Sequence, residues 1–122
     1  MDLSTLNREQ YEAVTAERGP LLVLAGAGSG KTRALTYRIA HLINQRQVFA
    51  SQILGLTFTN KAAQEMRERL HELVGSEASS IWMGTFHSIA IRILRSHFTE
   101  VGLSRDFVIY DGADQRTLIG QV

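Results

Sequence analysis

Leu21-Leu22-Val23-Leu24 runs directly into Ala25-Gly26-Ala27-Gly28-Ser29-Gly30-Lys31-Thr32, and a helical pattern follows over residues 32–44. The four apolar residues show no polar alternation, which predicts a strand covered on both faces, as in a parallel sheet. The next eight have the form of a phosphate-binding loop, with Ala25 where the usual pattern begins with Gly. Small size is what that position requires. Gly26, Gly28 and Gly30 permit a tight backbone that turns several N–H groups inward, and the following helix adds its positive N-terminal end. In such a loop Lys31 reaches the β- and γ-phosphates of a nucleotide and the Thr32 hydroxyl holds Mg²⁺. A plain glycine-rich turn would also connect strand to helix, but the buried strand before it and the helix after it are the context that the phosphate loop requires.

Three further apolar, β-rich runs occupy residues 53–58, 81–85 and 107–110. Helical stripes lie between them. Residues 32–44 place Leu35, Ile39, Leu42 and Ile43 on one side, residues 60–74 place Ala63, Met66, Leu70 and Leu73, and residues 86–98 place Phe86, Ile89, Ala90, Ile93 and Leu94. A shorter helix over residues 8–16 precedes the first strand, and Asn60 is a candidate N-cap for the helix at 60–74. Strand alternating with helix predicts βαβ units, hence an α/β fold with a parallel sheet and flanking helices. Ligands of such sheets bind beyond the carboxyl ends of the strands, which here are residues 25–32, 57–61 and 85–88.

Each of these junctions has a structural and a functional reading. Upstream of the loop, Asn7 and Gln10 have capping-box spacing; alternatively, the Gln10 carboxamide reads an adenine edge with its paired donor and acceptor. Thr57-Phe58-Thr59-Asn60-Lys61 and Thr85-Phe86-His87-Ser88 place aromatics, hydroxyls, a lysine and a histidine at the mouth of the sheet. These residues suit a single-stranded nucleic acid, with bases stacked on aromatics and phosphates held by lysine and hydroxyls. Equally, Phe58 and Phe86 are candidates for core residues at strand ends, with His87 starting a helix. Arg67, Arg69, Arg92 and Arg95 read as solvated helix faces.

Composition bounds the rest. The 122 residues are 44% hydrophobic and 20% charged, enough for one core, and the net charge of +1 means that any nucleic-acid site is local. With no cysteine there is neither a disulfide framework nor a thiolate metal site, and the four histidines lack ligand spacing. The longest purely apolar run, residues 21–25, is far short of the roughly 20 residues that span a bilayer. The first four residues lack the regions of a signal peptide. The expectation is a cytoplasmic protein without a membrane partner. Residues 114–122 read as a helix that has only begun, without a stop signal. That fits either a frayed terminal helix or, preferably, a piece of a longer protein.

Taken in order, these segments resemble the N-terminal part of the UvrD/Rep/PcrA-type superfamily 1 DNA helicases. The resemblance is carried by Leu6-Asn7-Arg8-Glu9-Gln10 with Ala13-Val14, by residues 24–33, by residues 56–63 with Glu65-Met66, and by Gly84-Thr85-Phe86-His87-Ser88. It covers nearly the whole chain. It implies a P-loop NTPase fold of the RecA-like type, incomplete here: residues 1–110 as the N-terminal part of the ATP-binding motor domain and residues 111–122 as the truncated start of a helical segment. It implies ATP and Mg²⁺ as cofactors. Gln10 recognises adenine, Arg33 lies near the nucleotide, and Lys31 and Thr32 serve catalysis. Thr57, Phe58, Thr59, Asn60, Lys61, Thr85, Phe86 and His87 line a path for single-stranded DNA. The implied activity is ATP-driven 3′-to-5′ translocation with unwinding at single-strand/duplex junctions, in partnership with a second motor domain. The family's Asp-Glu motif, arginine finger and adenine-stacking Tyr are missing from these residues, so the chain alone is expected not to hydrolyse ATP. Three alternatives stand beside this reading: a helicase subunit of a repair helicase–nuclease, a non-catalytic nucleotide- or DNA-binding module, and an unrelated P-loop kinase. The last leaves residues 57–61 and 85–88 unexplained.

Overall fold

A computed structural model describes residues 1–28 and 30–121; Ser29 of the loop and Val122 lie outside the described residues. The chain divides into two compact units, Met1–Ile89 and Ala90–Val122.

The first unit begins with α1, Arg8–Thr15. Its start is the expected capping box: Asn7 Oδ1 accepts from the Gln10 N–H at 2.8 Å, and Gln10 Oε1 accepts from the Asn7 N–H at 3.1 Å. Its end lacks a side-chain cap of its own and is closed from α2, Lys31–Asn44. Arg38 Nη1 donates to the carbonyls of Ala13 at 2.9 Å and Ala16 at 3.1 Å, so a guanidinium takes up carbonyls that a helix terminus leaves unpaired.

Two strands form. β1, Leu54–Thr57, and β2, Trp82–Thr85, pair in parallel with Leu54 opposite Trp82 and Thr57 opposite Thr85. A parallel pair needs a long crossover, here supplied by α3, Asn60–Val74. Ala63, Met66 and Leu70 of α3 meet Ile39, Ala40 and Ile43 of α2, together with Ile81 and Met83 of the β2 region, in one buried cluster. This is the stripe expected for α3, with Leu73 packed against the cluster; of the stripe expected for α2, Ile39 and Ile43 are buried, Leu42 is half-buried and Leu35 is 45% exposed, and Ala34, Thr36 and Ala40 complete the buried face instead. Two details of α3 differ from expectation. The N-cap is Thr59, whose hydroxyl accepts from the Ala62 N–H at 3.1 Å, and Asn60 is the first helical residue. Arg67 is not a solvated face residue: Nη2 donates to the Met83 carbonyl at 2.9 Å and ties the crossover helix to β2.

Residues 21–24 and 107–110 do not form the expected strands. Among the described residues the sheet contains β1 and β2 alone. A strand requires a ladder partner, and among the described residues neither segment has one. Leu22 and Leu24 stand 83% and 87% exposed, so the run without polar alternation is uncovered on one side while Leu21 and Val23 line a cavity on the other.

Helix α4, Phe86–Ser96, starts directly after β2 and buries Ile89; of the expected stripe Phe86, Ala90 and Ile93 are exposed and Leu94 is half-buried. Gly84 permits that sharp entry, because a Cβ there would lie 2.6 Å from Ser88 Oγ. In the second unit the Arg95 guanidinium sits 4.7 Å from the Phe107 ring centroid, a cation–π contact rather than a purely solvated arginine. Helix α5, Gly112–Gly120, opens on a capping box between Asp111 and Asp114. The backbone hydrogen bond from Asp114 holds the Asp111 carboxyl below its ordinary range. No helix among the described residues is long and apolar enough to cross a membrane.

Leu70 is 1% exposed at the centre of the α2–α3 cluster. Leu70→Ala should cost about 2–5 kcal/mol in denaturant unfolding. Leu118→Ala, on the exposed helix α5, should stay within about 0.5 kcal/mol. Equal effects would contradict this assignment of the core.

Candidate functional site

The loop reaches α2 through Gly28 at φ +73° and Gly30 at φ +80°, left-handed conformations that favour glycine. Gly30 is the N-cap of α2 and brings no side chain to the first turn. That turn carries no acidic residue; it opens on Lys31-Thr32-Arg33. A helix dipole favours negative charge at this end, so two cations here leave the turn short of an anion. An incoming phosphate would supply it and would meet N–H groups that no cap side chain among the described residues uses.

Lys31 stands between two cavities. One, of about 320 Å³, is bounded by Asn7, Gln10, Ala25, Gly26, Gly30 and Lys31, among others. The other, of about 630 Å³, brings Lys31 and Thr32 together with Leu56, Thr57, Phe58 and Thr59. Both are of the size that holds small ligands. The structure therefore joins the loop to Gln10 on one side and to the end of β1 on the other. These three sequence regions are contiguous only because α1 packs on α2 and β1 lies beside them.

At the strand ends, Phe58 is 92% exposed and Phe86 57% exposed. Their ring centroids lie 5.8 Å apart with the planes tilted by 39°. The reading of these rings as core plugs is thereby overturned; they pair with each other at the surface. Parallel register is the cause, since Thr57 opposite Thr85 sets the next residue of each strand at the same edge. The hydroxyls have local duties. Thr57 Oγ1 donates to the Thr59 carbonyl at 2.9 Å, and the Thr85 hydroxyl accepts from the Ser88 N–H at 3.1 Å. Asn60, Lys61 and His87 are exposed beside the ring pair.

Residues 6–122 match the family model described as the UvrD/REP helicase N-terminal domain. The chain belongs to the UvrD/REP helicase family. The chain is 52% identical over 120 residues to the ATP-dependent DNA helicase PcrA of Staphylococcus aureus (strain Mu50 / ATCC 700699), a match covering 98% of this chain and 16% of that protein. The ATP-dependent DNA helicase PcrA of Staphylococcus epidermidis (strain ATCC 12228 / FDA PCI 1200) matches to the same extent. The chain thus spans about one sixth of the length of these curated relatives.

Within this UvrD/REP chain, Arg33 is not brought to the two cavities at Lys31. Its Nη2 donates to the Thr5 hydroxyl at 2.7 Å and its guanidinium lies 5.4 Å from the Tyr37 ring centroid. It lines a separate cavity of about 330 Å³ with Arg69 and Glu72. Ala27 and Gly28 are exposed at the loop tip. Sequence reasoning missed Arg38, which lines the larger cavity while holding the end of α1. Its signal was a charged residue next to Ile39 on an otherwise apolar helical face. Thr36, 1% exposed, was also missed; its hydroxyl donates to the Thr32 carbonyl at 2.7 Å and stiffens the first turn of α2. Among the described residues no three His, Cys, Asp or Glu side chains gather as a metal site.

The exposure of Phe58 and the capping role of Thr59 make opposite demands on stability. Phe58→Ala should leave the unfolding free energy within about 0.5 kcal/mol of the parent. Thr59→Ala should lose about 1 kcal/mol through its cap. Chemical denaturation of both variants checks this, and a loss of several kcal/mol in Phe58→Ala would return that ring to the core.

Proposed function

We propose that this chain is the ATP- and single-stranded-DNA-binding portion of an ATP-dependent DNA helicase that translocates 3′ to 5′ and opens single-strand/duplex junctions. The observation that carries this reading is the 630 Å³ cavity where Lys31 and Thr32 of the loop meet Thr57, Phe58 and Thr59 of the strand end. A phosphate-binding element and an aromatic–hydroxyl–lysine cluster share one edge, which is what coupling nucleotide state to a nucleic-acid strand requires. Residues 1–110 act as the N-terminal part of a RecA-like P-loop motor domain and residues 111–122 as the start of a following helical segment. The partners are ATP, single-stranded DNA and the remainder of the helicase, including a second motor domain. The names of the PcrA relatives support this assignment.

The nucleotide site comprises Ala25, Gly26, Ala27, Gly28, Ser29, Gly30, Lys31 and Thr32, with Gln10 beside the base; Arg33 shares the first turn of α2, and its guanidinium would have to leave Thr5 to come near the nucleotide. Mg²⁺ fits here in one way. Thr32 is exposed at the first turn of α2 and supplies a single hydroxyl, and Mg²⁺ commonly completes its shell with nucleotide phosphates and water rather than with a protein cage. When bound it would neutralise charge on the β- and γ-phosphates. Lys31 adds a second positive charge, and the loop N–H groups orient the phosphates.

Hydrolysis also needs an oriented water. β1 and β2 end in Thr57 and Thr85 rather than in carboxylates, so the chain alone binds ATP without turning it over. Lys31→Ala should weaken ATP binding about tenfold or more, as expected for loss of a charged hydrogen-bond donor, measured by calorimetry on the 122-residue chain. Unchanged affinity would remove the loop assignment. A DNA-stimulated turnover that vanishes in Lys31→Ala would overturn the inactivity of the chain alone.

On the DNA side, Phe58 and Phe86 stack bases while Asn60, Lys61 and His87 border the strand, with Thr57, Thr59 and Thr85 shaping the junctions. Phe58→Ala should weaken binding of a single-stranded oligonucleotide by about 1–3 kcal/mol per base lost. Lys61→Ala should weaken binding across sequences and flatten the salt dependence by about 0.7 in logarithmic slope. Fluorescence titrations over a range of salt separate the two effects. If Phe58→Ala leaves oligonucleotide affinity unchanged, the stacking platform is wrong.

A further inference from the structure

Gln10 is engaged at both ends of its carboxamide. Oε1 accepts the Asn7 N–H at 3.1 Å within the capping box, and Nε2 donates to the Gly30 carbonyl at 3.2 Å, across to the end of the phosphate loop. This pairing fixes which end is nitrogen, since a flipped amide would set N–H against N–H and oxygen against oxygen. The Gly30 carbonyl also accepts the Ala34 N–H at 3.0 Å, the first turn of α2. Gly30 itself sits at φ +80°, and a Cβ there would collide with Gln10 Nε2. The positive φ favours glycine at position 30, and Gln10 Nε2 lies where its Cβ would stand.

We propose that Gln10 is a positioning residue for the phosphate loop. Its carboxamide ties the capped start of α1 to the Gly30 carbonyl and so holds the loop–helix junction in shape. Base reading, the role considered for Gln10 above, uses only what the carboxamide has left: its second N–H and second lone pair. The consequence is specific: a ligand with phosphates and no base should feel the loss of Gln10. If Gln10 served only the adenine edge, such a ligand would be indifferent to it. The binding part of the test rests on the proposed nucleotide site; the exchange part does not.

Inorganic tripolyphosphate is the base-free probe, titrated by calorimetry into the 122-residue chain. Gln10→Met removes the tie without adding charge, and it also removes one capping bond. Glu12→Ala is the control, because it removes the Arg8–Glu12 ion pair at 3.0 Å on the same helix and leaves both bonds of the Gln10 carboxamide in place. Gln10→Met should lower tripolyphosphate affinity about threefold to tenfold, the span expected for one hydrogen bond, and Glu12→Ala should not. In the ligand-free chain, amide hydrogen exchange at Ala34 should accelerate by a similar factor in Gln10→Met and stay at the parent rate in Glu12→Ala. Two binding results overturn the proposal: affinity for ATP falls in Gln10→Met while affinity for tripolyphosphate holds, or Glu12→Ala lowers tripolyphosphate affinity as much as Gln10→Met does. If the parent chain takes up no tripolyphosphate, the nucleotide site falls, and exchange at Ala34 decides the tie alone: an unchanged rate in Gln10→Met overturns it.

Discussion

Parallel pairing of β1 with β2 is the constraint on which the site depends. An antiparallel pair would have put the two strand ends at opposite edges. A parallel pair forces a crossover, and it forces both carboxyl ends to the same edge. Thr57 opposite Thr85 then fixes Phe58 and Phe86 as neighbours. The crossover helix α3 is held to that geometry twice, by the apolar cluster under Met66 and Leu70 and by the Arg67 bond to the Met83 carbonyl. The first turn of α3 is capped by Thr59, so the residue that follows Phe58 also starts the crossover.

The other half of the site is organised around α2. Its buried face, Ala34, Thr36, Ile39, Ala40 and Ile43, commits the helix to the core, while its first turn projects toward Gln10 and the β1 end. Arg38 lies between these regions and carries the end of α1, so α1 cannot shift without disturbing the helix that begins at the loop. The site is thus assembled from helix termini and strand ends, where backbone groups are least satisfied by secondary structure and most available to a ligand.

Much of this was legible in the sequence. The bounds of α1, α2 and α3 lie within a residue of the helical patterns at 8–16, 32–44 and 60–74, with Asn7 capping α1, and β1 and β2 fall inside the two runs that flank α3. Leu21-Leu22-Val23-Leu24 was misread because apolar content reports a wish for burial and not the presence of a neighbour. Leu22 and Leu24 are exposed since nothing among the described residues pairs with that segment. Residues 107–110 failed for the same reason. The exposure of Phe58 was equally illegible, because an aromatic at a strand end has the same local sequence whether it turns inward or outward. Arg38 and Arg67 escaped because a guanidinium's carbonyl partners are set by tertiary packing, which charge patterning does not encode. At Asn7–Gln10 both capping-box bonds are present, and only the coordinates reveal the third bond to Gly30.

The sequence contains a single tryptophan, Trp82, and it lies half-buried at the start of β2 opposite Leu54. Its backbone N–H donates to the Ile53 carbonyl at 3.0 Å, so the residue enters the ladder at the point where the two strands first meet. The chain's tryptophan emission therefore arises from one place. It reports the closing of the parallel pair, while the phenylalanines at the opposite end of the strands are dark at tryptophan excitation. An optical signal from the sheet can be followed without labelling, and the ring pair at the far end can be altered without altering the chromophore.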